Sequence, residues 1–163
     1  VVTAVHHTGL CPADLELSLR FYTDGVGLQV LADFQLNADL EALLGRHTSR
    51  VRTVFLGSKD SPQSGTLELV DLGGSGFAGE PPGTGTPQRG LFLLSFHTPV
   101  RAALDRLAAL NLGGAPRTMT GPDGTLTATV VDPDGVTVEL LSRPLAQLGG
   151  GAGRGSDGHP VGR

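Results

Sequence analysis

The sequence predicts an α+β fold of two βαβββ modules that together form a cleft or half-barrel. Three observations point there. Thr66-Leu67-Glu68-Leu69-Val70 recurs almost unchanged as Thr137-Val138-Glu139-Leu140-Leu141. Each copy alternates apolar and polar side chains, the signature of a strand with one buried face. The same order of elements, strand, helix and then strands, precedes both copies. Between the halves lies a stretch dense in Gly, Pro, Ser and Thr, which reads as a linker. The expected division is a first module over 1–72, a linker over 73–90, a second module over 91–142 and a Gly-rich, flexible tail over 143–163.

The elements follow in order. Val1 to Leu10 reads as a strand. Cys11-Pro12-Ala13-Asp14 breaks it, and Asp14 is suited to cap a helix or to face its positive end. Leu15, Leu19 and Tyr22, joined by Ser18 and Phe21, make a helical stripe that Gly25 and Gly27 bring to a stop. Leu28 to Phe34 is the next strand, and Asn37 to Gly45 a short helical turn or covering loop. Val51 to Leu56 and Thr66 to Asp71 are strands separated by the polar turn Ser58 to Gly65. The second half begins with a strand over Leu91 to His97. A helix follows over Pro99 to Leu110, ended by Asn111-Leu112-Gly113-Gly114. A weak strand near Arg117, then Thr125 to Val131 and Val136 to Ser142, complete it. After Arg143 no apolar periodicity continues.

Composition narrows the function classes. The chain has 163 residues, 39% of them hydrophobic, enough for a real core shared by two half-sized modules. No apolar run approaches a membrane span, and no secretory signal pattern stands at the start. Net charge is −4 with dispersed arginines, so no nucleic-acid footprint is expected. One cysteine, Cys11, permits no internal disulfide and fits a cytoplasmic location. The Gly73-Gly74-Ser75-Gly76 run lacks the lysine and following helix of a phosphate loop. Asp132 and Asp134 read as turn chemistry in Asp-Pro-Asp-Gly rather than as ligands.

The two glutamates are the first site candidates. Glu68 and Glu139 occupy the same place in related strands, and carboxylates inside a half-barrel are costly unless paired, protonated or bound to a cation.

The opening His7-Thr8-Gly9-Leu10, with Asp14, Ser18, Phe21-Tyr22 and Gly25-Val26-Gly27-Leu28, resembles the first module of the vicinal oxygen chelate superfamily. Glyoxalase I, bleomycin-resistance proteins and extradiol dioxygenases belong to that superfamily. The ending Asp132-Pro133-Asp134-Gly135-Val136-Thr137-Val138-Glu139-Leu140 resembles its last turn and strand. The resemblance runs from about Val2 to Ser142. It implies metal ligands at His7, Glu68 and Glu139, with Glu139 and Glu68 also as the catalytic carboxylates. The third ligand position falls on Leu91, Phe92 or Leu93, none of which can bind a metal, so a two-His, one-carboxylate iron site is not expected. His97 is in phase with Leu91, Leu93 and Ser95, but each two-residue step moves a side chain about 6–7 Å along the strand. Leu91, Leu93 and His97 are therefore expected in a substrate cleft.

Two functions follow from the resemblance. One is a lyase, isomerase or epimerase acting on a small oxygenated metabolite through a divalent ion (Zn, Ni, Co, Mn or Fe). The other is a metal-free small-molecule or antibiotic-binding protein. A homodimer is expected, because two half-barrels leave sheet surface and edges to cover.

Overall fold

The protein is described by a computed structural model over residues 5–45, 47–61, 65–73 and 90–144. The start of the expected first strand, nearly all of the linker and the tail beyond Pro144 lie outside the described residues.

Two four-stranded mixed sheets form the body. The first contains β1 (Thr8–Leu10), β2 (Gln29–Leu36), β3 (Val51–Gly57) and β4 (Leu67–Asp71), in the order β1-β4-β3-β2. The second contains β5 (Leu93–His97), β6 (Gly113–Thr120), β7 (Leu126–Val131) and β8 (Thr137–Leu141), in the order β5-β8-β7-β6. In each, the first strand runs parallel to the last and the other pairs are antiparallel. The repeat legible in Thr-x-Glu-Leu is thus a repeat of whole sheets. Among the described residues the sheets do not close into a barrel.

Helix α1 (Leu15–Arg20) begins where Asp14 accepts the Leu17 N–H at 3.0 Å. This satisfies one of the otherwise orphaned first-turn donors. The helix continues as a π-helical turn, Phe21–Val26, and stops at Gly27, whose φ of +102° suits glycine. A short α2 (Glu41–Leu44) follows β2, and α3 (Val100–Ala109) is the second module's helix. The weak strand near Arg117 proves to be the eight-residue edge strand β6, with a register shift between Gly113 and Arg117.

The helix-facing sides of both sheets share one core. Leu67 and Leu69 of β4, Val138 and Leu140 of β8, and Val54 and Leu56 of β3 meet Phe21, Tyr22 and Leu107 there, all at most 2% exposed. Alternation then turns Glu68 and Glu139 to the opposite, open faces of the sheets.

Three contacts lock the modules together. Gly25 lets α3 approach: a Cβ at this position would lie 2.3 Å from Leu107 Cδ2. Arg106 of α3 donates to the carbonyls of Asp24, Gly25 and Val26 at 3.0–3.1 Å. The Asp132-Pro133-Asp134-Gly135 turn does the rest. Asp132 Oδ1 accepts the N–H groups of Asp134 and Val136, as turn chemistry requires, while its Oδ2 accepts the buried Tyr22 hydroxyl at 2.7 Å. Asp134 accepts the Ala13 N–H and the Ser18 hydroxyl. The second module's turn therefore also binds the first module's helix, a role that turn chemistry alone does not reveal. Burial, first, raises the Tyr22 phenol above its ordinary range, and the adjacent Asp132 charge adds to this. Burial also raises Asp132, opposed by the Tyr22 hydroxyl and the backbone donors.

Candidate functional site

Residues paired across neighbouring strands share a face, so the registers give the open faces directly. On the first sheet one row runs Gly9–Glu68–Phe55–Ala32. The equivalent row on the second runs Ser95–Glu139–Thr129–Arg117. The two carboxylates occupy the same position in the two sheets, flanked by different neighbours.

In the first module His7 Nε2 lies 3.0 Å from Glu68 Oε2. The imidazole packs edge-on against Phe55 with centroids 5.5 Å apart, and its Nδ1 is 2.7 Å from His6 Nδ1. These contacts orient His7 from three sides. Gly9 leaves Glu68 open: a Cβ there would stand 3.5 Å from Oε2, an ordinary contact. In the second module Ser95 takes the place of Gly9, and its hydroxyl donates to Glu139 Oε2 at 2.7 Å. Thr8 pairs with Leu67 and Leu94 with Val138. The position matching His7 is therefore Leu93, one of the three that the sequence left open.

His97 pairs with Leu141, two residues beyond Ser95, on the same open face as Glu139. Leu91 and Leu93 line a cavity of about 270 Å³ at the seam between the modules; His97 does not line it. Ser95 and Phe55 are neighbours in the two carboxylates' surroundings that sequence reasoning passed over. Alternation places Ser95 between Leu93 and His97, but only the register reveals that it faces Glu139.

The fit to a divalent ion is partial. Two donor atoms 3.0 Å apart suit adjacent ligands with metal bonds of about 2.1 Å, so His7 and Glu68 fit. Leu93 offers no donor. Among the described residues, His7, Glu68 and Glu139 do not bring their ligand atoms within 4.8 Å of one another. The cluster that does so is Asp39, Glu41 and His47, all exposed. It has a local explanation: Asp39 ties the loop by accepting from His47 and from the N–H groups of Glu41 and Thr48. The His47 hydrogen bond, first, and the backbone donors hold the Asp39 carboxyl below its ordinary range. Among the described residues no helix is long and apolar enough to cross a membrane.

Comparison with known proteins agrees with this architecture. Residues 4–140 match the Glyoxalase/Bleomycin resistance protein/Dioxygenase superfamily, and the chain belongs to that family. It is 40% identical over 149 residues to the lactoylglutathione lyase-like protein terB of Aspergillus terreus, covering 86% of this chain and 76% of that protein. Among solved structures, TnmS3, an antibiotic-binding protein from Streptomyces sp. CB03234, is 25% identical. It aligns with a TM-score of 0.53 over 86% of this chain and 95% of its own. The trypanothione-dependent glyoxalase I of Leishmania major shares the fold at 23% identity and a TM-score of 0.59, over 86% of each chain.

Proposed function

We propose that the protein is a lyase, isomerase or epimerase that moves a proton on a small oxygenated metabolite, in a site completed by two copies of the chain. The observation that carries this is the preorganised His7–Glu68 pair, matched in the other sheet by Glu139. In this reading His7 and Glu68 of one copy, with Glu139 of a second copy until substrate displaces it, would hold a divalent ion. Two carboxylates and a neutral imidazole suit Zn, Ni, Co, Mn or Fe. Such an ion, when bound, polarises neighbouring substrate oxygens and makes the adjacent C–H more acidic. Glu139 takes the proton: Ser95 holds Oε2, which leaves Oε1 for the substrate. Glu68 serves as the second carboxylate, and His97 borders the cleft. The open sheet faces support pairing of copies, because Phe34 and Leu36 on β2 and Met119 on β6 are exposed apolar side chains. The resemblance to terB supports an enzymatic role. We place the protein in the cytoplasm from its lone cysteine.

Leu93 favours a second reading. With an alkyl side chain at the ligand position, the same cleft serves a metal-free binding protein, as the resemblance to an antibiotic-binding protein also suggests. Melting temperature with and without chelator separates the two. Under the first reading the metal-loaded protein melts higher, and Glu139→Gln removes that gain, which follows the ion concentration relative to its dissociation constant. A chelator-insensitive wild type, with Glu139→Gln at least as stable, retires the metal reading.

A further inference from the structure

Strands β1 and β5 are the facing edges of an unclosed structure: each ends its own sheet, and neither pairs with the other. The cavity of about 270 Å³ lies at this seam. Its apolar lining comes from Val5, Leu67, Leu91, Leu93, Leu94 and Phe96. Leu94 and Phe96 belong to the core face of β5, while Leu93 is in phase with its open face. The cavity thus lies along the edge of β5, and Ser95 is both a lining residue and the hydrogen-bond donor to Glu139.

We propose that this seam is the pocket for the uncharged body of the ligand, and that the ligand class is a neutral, ring-sized apolar molecule with an oxygen function at one end. The inference rests on the small-molecule reading above, and it names the ligand for the enzyme and the binding protein alike. Size supports it: an apolar cavity of about 150 Å³ holds benzene, so this one has room for a substituted ring. Charge supports it too. The side chains lining the cavity include no ionisable group, and an anion or cation placed there would lose its hydration without a counter-charge. Polar groups for an oxygen function come from Thr8 and Ser95. A ligand seated this way presents its oxygenated end toward Ser95 and Glu139.

Benzyl alcohol tests the pocket, with benzoate as the charged analogue of the same size. Methyl-labelled protein is titrated with each and followed by NMR. Saturable shifts are expected at Leu91, Leu93 and Leu94 with benzyl alcohol, and binding at least about tenfold weaker with benzoate. Leu93→Trp fills the cavity from a half-buried position and should abolish the saturable shifts. Leu91→Trp, at a well exposed position, does the same should the first variant fold poorly. Absence of saturable shifts in the wild type overturns the proposal, as does undiminished binding in a folded tryptophan variant. Equal binding of benzoate overturns the ligand class. Calorimetric titration with Ni²⁺ runs in parallel: protein that binds benzyl alcohol at Leu93 but no Ni²⁺ keeps the pocket and retires the metal reading, and the converse result does the reverse.

Discussion

The two modules share a backbone plan and differ in what surrounds one carboxylate. Around Glu68 stand an imidazole, a glycine and an aromatic ring; around Glu139 stand a leucine, a serine hydroxyl and a threonine. The first set presents two nearby donor atoms and leaves the carboxylate accessible beside Gly9. The second engages one carboxylate oxygen and replaces the imidazole with an alkyl group. The two sheets share their strand order and a buried face, where Leu67, Leu69, Val138 and Leu140 do the same work. The open faces, which the core does not constrain, differ. One half pairs its carboxylate with an imidazole; the other hydrogen-bonds its carboxylate to a serine beside an apolar pocket.

That comparison can be broken first at the joint. Asp132→Ala removes the acceptor of a buried phenol and two backbone N–H groups. At about 1 kcal/mol or more for each group left unpaired, it should cost roughly 3 kcal/mol and lower the melting temperature by about 6–12 °C. A loss below about 2 °C would mean that the turn does not hold the modules together. Gly25→Ala attacks the same joint sterically. Its methyl would meet Leu107, so about 1–3 kcal/mol is expected, read as a melting temperature lower by about 2–12 °C.

The third test uses pH. The folded state raises the Tyr22 phenol above its ordinary value near 10. A raised group gives its full stabilisation below the unfolded pKa and loses it as pH climbs toward the folded one. Stability from Tyr22 is therefore complete at neutral pH and declines above about pH 10. Asp132 is raised in the same sense; its contribution is full in acid, below about pH 4, and weakens as pH rises through its folded value. Tyr22→Phe should lower neutral stability by about 1 kcal/mol and flatten the alkaline decline. Parallel melting curves for the two proteins above pH 10 would contradict this.

A smaller change sharpens the comparison itself. Leu93→His gives the second module the pair that His7 and Glu68 form in the first. Calorimetry should show Ni²⁺ affinity higher by about tenfold or more. Unchanged affinity would mean that Leu93 is not the equivalent of His7.

Much of this was legible in the chain. The strands, the Asp14 cap and the Gly27 stop follow from period, cap chemistry and backbone freedom, which are local. The Thr-x-Glu-Leu repeat placed both carboxylates on matching strands. What stayed hidden depends on register and on contacts across the modules. Ser95 is a commonplace residue until the β5–β8 ladder sets it against Glu139. Asp132 satisfies its own turn so well that its second partner, Tyr22, leaves no local trace, while Asp134 gives its carboxylate to Ala13 and Ser18 across the modules. Edge strand β6, broken by a bulge and a proline, has little alternation to read.

The central claim is that His7 and Glu68 of one copy work with Glu139 of another. Mixing two defective proteins tests it most directly. His7→Ala and Glu139→Gln are each prepared, their loss of Ni²⁺ uptake is confirmed, and the two are unfolded and refolded together. In a shared-site dimer, the mixed species joins the intact His7 and Glu68 of one chain to the intact Glu139 of the other, so Ni²⁺ uptake should return in part on mixing. Uptake that stays absent, in a mixture shown by sedimentation to contain dimers, would contradict the account.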